Sequence, residues 1–358
     1  MQIDFHHAVT YVLARLVGFP HDDARMIAYA GQYVDDANNQ GLIEFTNGVP
    51  PFYHIASAHV LWDAGNLRAS EDREVWVPFH FLPGNNGQEP GQALDTPMIR
   101  RLVCREDSPL ARDLWRACKA AKNEANWRQR LGITTHVYSD TFAHYAFVGL
   151  LNEINKVSDL KFTGAGWLDK MAEWVSRGIT EVENLGHGCV FKCPDMPFLQ
   201  WSYRDDEGNL QTRDNAAKFA HACDRIFYYY LWYRDESTER QISAVDRELI
   251  LESFRGITDP DGGARHRKWL ILIREGRFSF GGLSAEQAAS LEYAPKGEGS
   301  WKFDALNTKL DRDIPGTKFT PSPHFDQSNW KLFHQALIGH QEEVLRKLLP
   351  MYKISLSA

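Results

Sequence analysis

Apolar residues recur every three to four positions over long stretches of the chain, which is the pattern of amphipathic helices. Within the first forty residues, Gly18-Phe19-Pro20 interrupts such a stretch and predicts a helical hairpin. Asp22 or Asp23 is positioned to cap the second helix, which we expect to end near Asp35-Asp36. The same periodicity predicts further helices over 96–123, 124–156, 165–185 and 214–234, another after 259 and a last one that begins near Ser328.

Segments rich in Pro, Gly and aromatic residues separate these helices and predict long loops over 44–53, 75–90 and 276–323. Two short runs around Trp201 and Leu210, joined by Asp-Asp-Glu-Gly-Asn, predict one β-hairpin. We therefore predict an all-α fold, a multi-helix bundle with long loops and a short β-hairpin. We expect a single large helical domain over 1–358, in which 1–200 form a core and 201–358 an aromatic-rich helical extension packed on it.

The composition excludes several classes of protein. A net charge of -7 gives no electrostatic footprint for duplex nucleic acid. No run of about 18 apolar residues is present, so we expect no transmembrane segment. The first residues, Met-Gln-Ile-Asp-Phe-His-His, lack the basic and apolar regions of a signal peptide, and the five cysteines are odd in number. These features predict reduced thiols and a cytoplasmic location, with export by a leaderless route as the alternative.

The run from His136 to His144 carries the strongest chemical signal. His136, Asp140 and His144 are spaced four residues apart, so they lie along one stripe of a helix. The residues around them are apolar, which predicts that the stripe is buried. A buried carboxylate between imidazoles is costly unless a divalent cation compensates its charge, and His nitrogen and Asp oxygen are ordinary ligands of such cations. The alternative is a hydrogen-bonded His–Asp–His ladder without metal.

Other histidines and acids become candidates beside this stripe. His6 lies on the first helix, and Asp35-Asp36 ends the second helix on the side that folds back toward the first. His187 is followed by Asp195. Each of these residues alone is more often an ordinary packing or surface residue. Together with the stripe they predict a metal cluster whose candidate ligands are His6, Asp35, Asp36, His59, His80, His136, Asp140, His144 and His187.

This order of residues resembles the helical zinc-dependent phospholipase C and single-strand-specific nuclease superfamily. The resemblance implies an all-helical fold in which up to three zinc ions hydrolyse phosphate esters. It implies that His136 is a terminal ligand and that Asp140 bridges two ions. The remaining roles it implies are an upstream acid, an intervening histidine and an N-terminal histidine, taken by Asp35 or Asp36, by His59 or His80, and by His6.

Two features depart from that superfamily. Its secreted members bind zinc through the amino group of a processed N-terminal tryptophan, whereas this chain starts with Met1, so we expect that ligand to be missing. The distal His…His-x-x-x-Glu cluster is not reproduced after His144. We therefore expect one or two divalent ions, zinc before iron or manganese, rather than three.

Four segments resemble an uncharacterised bacterial family more closely. They are Asp4-Phe-His-His, Val77-Pro-Phe-His-Phe-Leu-Pro-Gly-Asn, Thr135-His-Val-Tyr-Ser-Asp-Thr-Phe-Ala-His and the stretch from Gly186-His-Gly to Pro-Asp-Met-Pro. The family is known as domain of unknown function 6765, and the likeness extends over most of the chain. It implies a fold neighbourhood but no reaction.

These observations favour a metal-dependent hydrolase of phosphate esters that acts on a small phosphorylated or lipid-headgroup substrate. Bound cations would activate water, Asp140 would bridge them, and Asp35, Asp36 or Asp195 would accept the proton. Two alternatives remain. One is a non-catalytic helical protein with a structural metal, for example a toxin or defence component. The other is an iron-dependent helical metalloenzyme.

Overall fold

The computed structural model describes residues 1–46, 48–58, 73–92, 94–163, 190, 192–314 and 316–356. The first helix is wound as a π-helix over Asp4–Val9 and continues as α1. The α-helices are α1 Thr10–Val17, α2 His21–Asp36, α3 Trp76–Phe79, α4 Met98–Leu102, α5 Pro109–Ala120, α6 Trp127–Ala143, α7 Asn215–Asp235, α8 Ala244–Gly256, α9 Gly262–Arg274, α10 Ala285–Ser290, α11 Trp301–Leu306, α12 Asn329–Glu342 and α13 Leu349–Met351, with a second π-helix over Glu343–Leu348. The helix predicted over 165–185 lies outside the described residues.

The N-terminal hairpin, the helix over 214–234 and the helix after Ser328 are confirmed. Pro20 is the N-cap of α2, so Asp22 and Asp23 lie within its first turn rather than at the cap. The stretch 96–123 forms two helices, α4 and α5, instead of one. Within the stretch 124–156 the α-helix ends at Ala143, and only a short 3-10 helix follows at Glu153–Asn155. Helix α8, which was not predicted, lies between α7 and α9.

The prediction of an all-α fold is wrong. The described residues contain two three-stranded sheets, so the fold is a mixture of helices and strands. The strands are β1 Gly41–Phe45, β2 Phe52–His54, β3 Ser158–Thr163, β4 Gln200–Arg204, β5 Leu210–Asp214 and β6 Lys318–Phe319. The hairpin β4–β5 is the predicted one, and β3 adds to it antiparallel. In the other sheet, β1 pairs antiparallel with β2 and parallel with β6, so part of the predicted loop 44–53 is strand.

Helices α2 and α6 pack closely because glycines face each other where they meet. A Cβ atom at Gly132 of α6 would lie 2.7 Å from the Cβ atom of Ala30. A Cβ atom at Gly31 of α2 would lie 2.9 Å from the carbonyl oxygen of His6, so the π-helix approaches from the other side. Contacts this short leave no room for a side chain. The two glycines therefore bring three elements together beside the predicted His136–Asp140 stripe.

The N-terminal helix and the C-terminal half share one apolar core. Phe5 packs edge-on against Phe219 of α7 and parallel to Phe254 of α8, with ring centroids 5.5 and 6.0 Å apart. Trp269 of α9 lies against Phe254. Aromatic contacts of this kind contribute beyond their buried area. Every helix within the described ranges is too short or too polar to cross a bilayer.

A buried histidine fastens α12 to the segment that contains α3. The Nε2 atom of His340 donates a hydrogen bond to the carbonyl oxygen of Pro78 at 2.9 Å. Burial lowers the pKa of His340 to about 4. An unfolded histidine has a pKa of about 6.5. Between pH 6.5 and pH 4 the unfolded chain binds a proton at His340 that the folded protein does not bind. The contribution of His340 to the free energy of unfolding is therefore fully present above pH 6.5 and is lost as the pH falls toward 4.

We therefore expect His340→Gln to make the protein less sensitive to acid. Between pH 7 and pH 4.5 the free energy of unfolding should fall by about 2–3 kcal/mol less in the variant than in the wild type. Urea denaturation at both pH values measures this difference. His324→Gln, at an exposed histidine, is the control and should follow the wild type. Equal acid sensitivity of His340→Gln and the wild type would contradict the assignment.

Candidate metal centre

Three histidines each present one ring nitrogen to an aspartate, His136 and His80 to Asp140 and His144 to Asp195. His136 Nδ1 donates to the carbonyl oxygen of Gly31 at 2.8 Å, and His80 Nε2 donates to that of Ser57 at 2.8 Å. His144 Nδ1 donates to the carbonyl oxygen of His80 at 2.7 Å. A carbonyl only accepts hydrogen bonds, so the nitrogen that faces it carries the proton. The opposite nitrogen of each ring is therefore the one that can offer a lone pair, as in metal-binding histidines.

His80, His136, Asp35 and Asp140 outline a first cation position. His136 Nε2 lies 3.3 Å from His80 Nδ1 and 3.3 Å from Asp140 Oδ2, and His80 Nδ1 lies 3.4 Å from the same oxygen. Asp35 Oδ1 is 3.8 Å from both nitrogens. A tetrahedral zinc ion with bonds of about 2.0–2.1 Å holds its ligand atoms about 3.3–3.4 Å apart. Two facing lone pairs repel each other unless a cation lies between them, so this spacing fits a metal ion.

The other oxygens of the same two carboxylates outline a second position beside His6. His6 Nε2 lies 3.2 Å from Asp140 Oδ1 and 4.0 Å from Asp35 Oδ2. The ring of His6 stacks on the ring of His136, with centroids 3.8 Å apart. Asp35 and Asp140 thus each direct one oxygen to either position. Carboxylates shared in this way are the arrangement that holds two cations close together.

The amino group of Met1 also lies beside these acids. Its nitrogen is 2.6 Å from Asp140 Oδ1 and 3.1 Å from Asp195 Oδ1. Asp195 Oδ1 in turn lies 3.3 Å from His144 Nε2. Burial alone would lower the pKa of the amino group, but the charges of Asp140, Asp195 and Asp35 outweigh it and raise the pKa to about 11. The ammonium group therefore supplies one positive charge to the acids.

One ammonium charge does not balance the carboxylates. Burial, and then the charge of Asp140, raise the pKa of Asp35 well above its usual range. Burial would also raise the pKa of Asp140, but the Met1 ammonium and the neighbouring histidines outweigh it and hold that pKa well below its usual range. Burial lowers the pKa of His6 to about 4, so His6 contributes no charge at neutral pH. Divalent cations would supply the missing charge.

Seven of the predicted site residues meet at this point: His6, Asp35, His80, His136, Asp140, His144 and Asp195. Asp36, predicted as a ligand and a catalytic acid, is directed elsewhere: its Oδ2 atom accepts hydrogen bonds from Tyr293 and Gln32. Successive residues of a helix point about 100° apart, so Asp35 and Asp36 cannot both face the cluster. His59 and His187 lie outside the described residues. We refer below to the seven residues together with the Met1 amino group as the His/Asp cluster.

The cluster is most open at Asp35. The Asp35 side chain is 30% exposed, whereas the side chains of His6 and His136 are fully buried. Asp195 is the next most exposed acid, at 10%. The side chains of Asp35 and Asp195 are therefore the most solvent-accessible acids of the cluster.

Taken together, the fold and the site define a mixed helical and β protein with a buried His/Asp cluster suited to divalent metal ions. The chain belongs to a family of unknown function (DUF6765), whose model matches residues 1–348. Neither the curated proteins nor the solved structures contain a match to it. The resemblance to zinc-dependent phospholipase C gains no support from these comparisons and remains a hypothesis.

Proposed function

We propose that the chain is a metal-dependent hydrolase of phosphate esters that holds two divalent cations in the His/Asp cluster. Two shared carboxylates support this proposal most strongly, because Asp35 and Asp140 each direct one oxygen to the first cation position and the other oxygen to the second. Paired cations at such sites bind both the attacking and the leaving oxygen of a phosphate ester. Nitrogen and carboxylate ligands at tetrahedral spacing favour zinc, with iron or manganese as alternatives.

We assign metal-binding and proton-accepting roles to different residues of the His/Asp cluster. His80 and His136 would hold a first cation, and their hydrogen bonds to backbone carbonyls fix both rings. His6 would hold a second cation together with Asp35 Oδ2 and Asp140 Oδ1. Bound cations would polarise the ester and lower the pKa of water toward neutrality. Asp195, whose Oδ1 atom lies 3.3 Å from His144 Nε2, would accept the proton of the attacking water.

Metal content and turnover measured on the same preparation test this proposal. Elemental analysis of the purified wild-type protein should give about two equivalents of a divalent transition metal. Bis(p-nitrophenyl) phosphate should be hydrolysed, activity should disappear on dialysis against a chelator, and zinc, manganese or iron should restore it. Metal binding without turnover by any of these ions would contradict the hydrolase and leave a metal-binding protein. Absence of bound metal after reconstitution would contradict the proposal altogether.

A further inference from the structure

A buried amide joins the two acids at the end of α2. Gln32 lies one turn before them, and its Nε2 atom donates to Asp36 Oδ2 at 3.0 Å and to Asp35 Oδ2 at 3.4 Å. The Oε1 atom of Gln32 is buried without a hydrogen-bond partner. A buried amide that leaves its acceptor unsatisfied costs stability. The Gln32 amide therefore fixes the orientation of the two carboxylates, although its own oxygen is left without a hydrogen bond.

The same network reaches the C-terminal half of the chain through Tyr293. Its hydroxyl donates to Asp36 Oδ2 at 2.6 Å, the oxygen that Gln32 also contacts. The Tyr293 ring packs against Tyr29 of α2 and against His7, with centroids 4.7 and 5.4 Å apart. His7 directly follows the candidate ligand His6. Tyr293 thus contacts two of the three elements that supply candidate ligands to the second cation position, the π-helix and α2.

We propose that Tyr293, Asp36 and Gln32 are positioning residues that set the affinity of the second cation by orienting Asp35. This inference rests on the proposed function. The Tyr293 hydroxyl donates to Asp36, and the Gln32 amide donates both to Asp36 and to Oδ2 of Asp35. Hydrogen bonds that orient metal ligands typically change metal affinity or activity by about 10–100-fold when they are removed.

The geometry makes the effect selective for one cation. In the first position, His80, His136 and Asp140 already lie 3.3–3.4 Å from one another, so Asp35 is an additional ligand there. In the second position, Asp35 Oδ2 is still 4.0 Å from His6 Nε2 and must be held toward the ion. The amide of Gln32 contacts that same oxygen. Loss of the network should therefore weaken the second cation far more than the first.

The test is a stepwise zinc titration in competition with a chromophoric chelator. Tyr293→Phe removes only the hydroxyl that donates to Asp36, and Gln32→Met removes the amide at similar length. We expect both variants to bind the second equivalent about 10–100-fold more weakly, with the first equivalent within about threefold of the wild type. Phosphodiester turnover at limiting zinc should fall in parallel, and excess zinc should restore it.

Tyr29→Phe is the matched control. Tyr29 lies in the same aromatic cluster, and its hydroxyl donates to the carbonyl oxygen of Ala294 at 2.5 Å rather than to an acid. This variant should lose stability without a change in either zinc affinity. If Tyr293→Phe shifts both equivalents equally, or matches Tyr29→Phe, the positioning role is wrong. If the wild type itself binds fewer than two ions, the proposed function fails instead, so the two failures are distinguishable.

Discussion

Asp140→Asn is expected to remove both cations and to lower phosphodiester hydrolysis by a factor on the order of 10³. The substitution preserves the shape of the side chain but removes its charge and turns one oxygen into a donor amide. Asp140 contributes an oxygen to each cation position, so neither position keeps its set of ligands. Metal content by elemental analysis and turnover of bis(p-nitrophenyl) phosphate measure the two losses separately.

Asp246→Asn is the matched control for this substitution. Asp246 is also a buried aspartate, and it accepts hydrogen bonds from Ser243 and Ser279, away from the cluster. Its amide variant should lose stability but retain two equivalents of metal and its turnover. Circular dichroism at the assay temperature establishes that both variants are folded. A folded Asp140→Asn protein with wild-type metal content would overturn the assignment of Asp140 as a shared ligand.

The relative position of His136 and Asp140 can be predicted from the sequence, because their spacing along one helix determines it. His136 and Asp140 are four residues apart and share a face whatever surrounds the helix. The choice between Asp35 and Asp36 is different, since both end α2 and differ only in direction. The contact of α2 with α6 at Gly132 decides which of them faces the cluster, and no local pattern encodes that contact.

The missed parts of the fold depend on contacts between distant segments. Strand β1 pairs with β6 through Glu44 and Phe45, whose partners Lys318 and Phe319 lie far along the chain. Strands of two and three residues leave too short a pattern to detect. The apolar run after Ala143 predicts a continued helix, but the helix ends at Ala143, and Ala146, at φ +72°, has a left-handed conformation that a right-handed helix cannot contain.

The burial of the Met1 amino group also depends on contacts between segments that are distant in the sequence. The N-terminal helix reaches the cluster because it packs between α2 and α9. Asp4 of that helix is paired with Arg265 of α9, which is more than 250 residues away in the sequence. The sequence around Met1 does not indicate that Asp4 pairs with Arg265. The position of the Met1 amino group thus depends on an ion pair that only the tertiary structure reveals.

Arg265→Met should destabilise the protein by about 3–5 kcal/mol, because it leaves a buried acid without its partner. The Nε atom of Arg265 donates to Asp4 Oδ2 at 2.6 Å, and both side chains are almost completely buried. The remaining guanidinium hydrogens bind Gln2 Oε1 and the carbonyl oxygen of Asp259. Burial raises the pKa of Asp4 despite the opposing charge of Arg265. Without Arg265 that pKa should rise further, and urea denaturation measures the resulting loss of stability.

The pH dependence of this loss identifies its cause. A carboxyl group whose pKa is raised by folding costs stability above that pKa, and the cost disappears as the pH falls and the group is protonated. The deficit of Arg265→Met should therefore be largest near pH 7 and shrink toward pH 4. The double variant Asp4→Leu with Arg265→Met should regain most of the stability, since an apolar pair replaces the ion pair.

Arg267→Met, at an exposed position on the same helix, is the control and should change the free energy of unfolding by no more than about 0.5 kcal/mol. A deficit that is independent of pH, and is not recovered in the double variant, would mean that Arg265 acts through packing rather than through its charge.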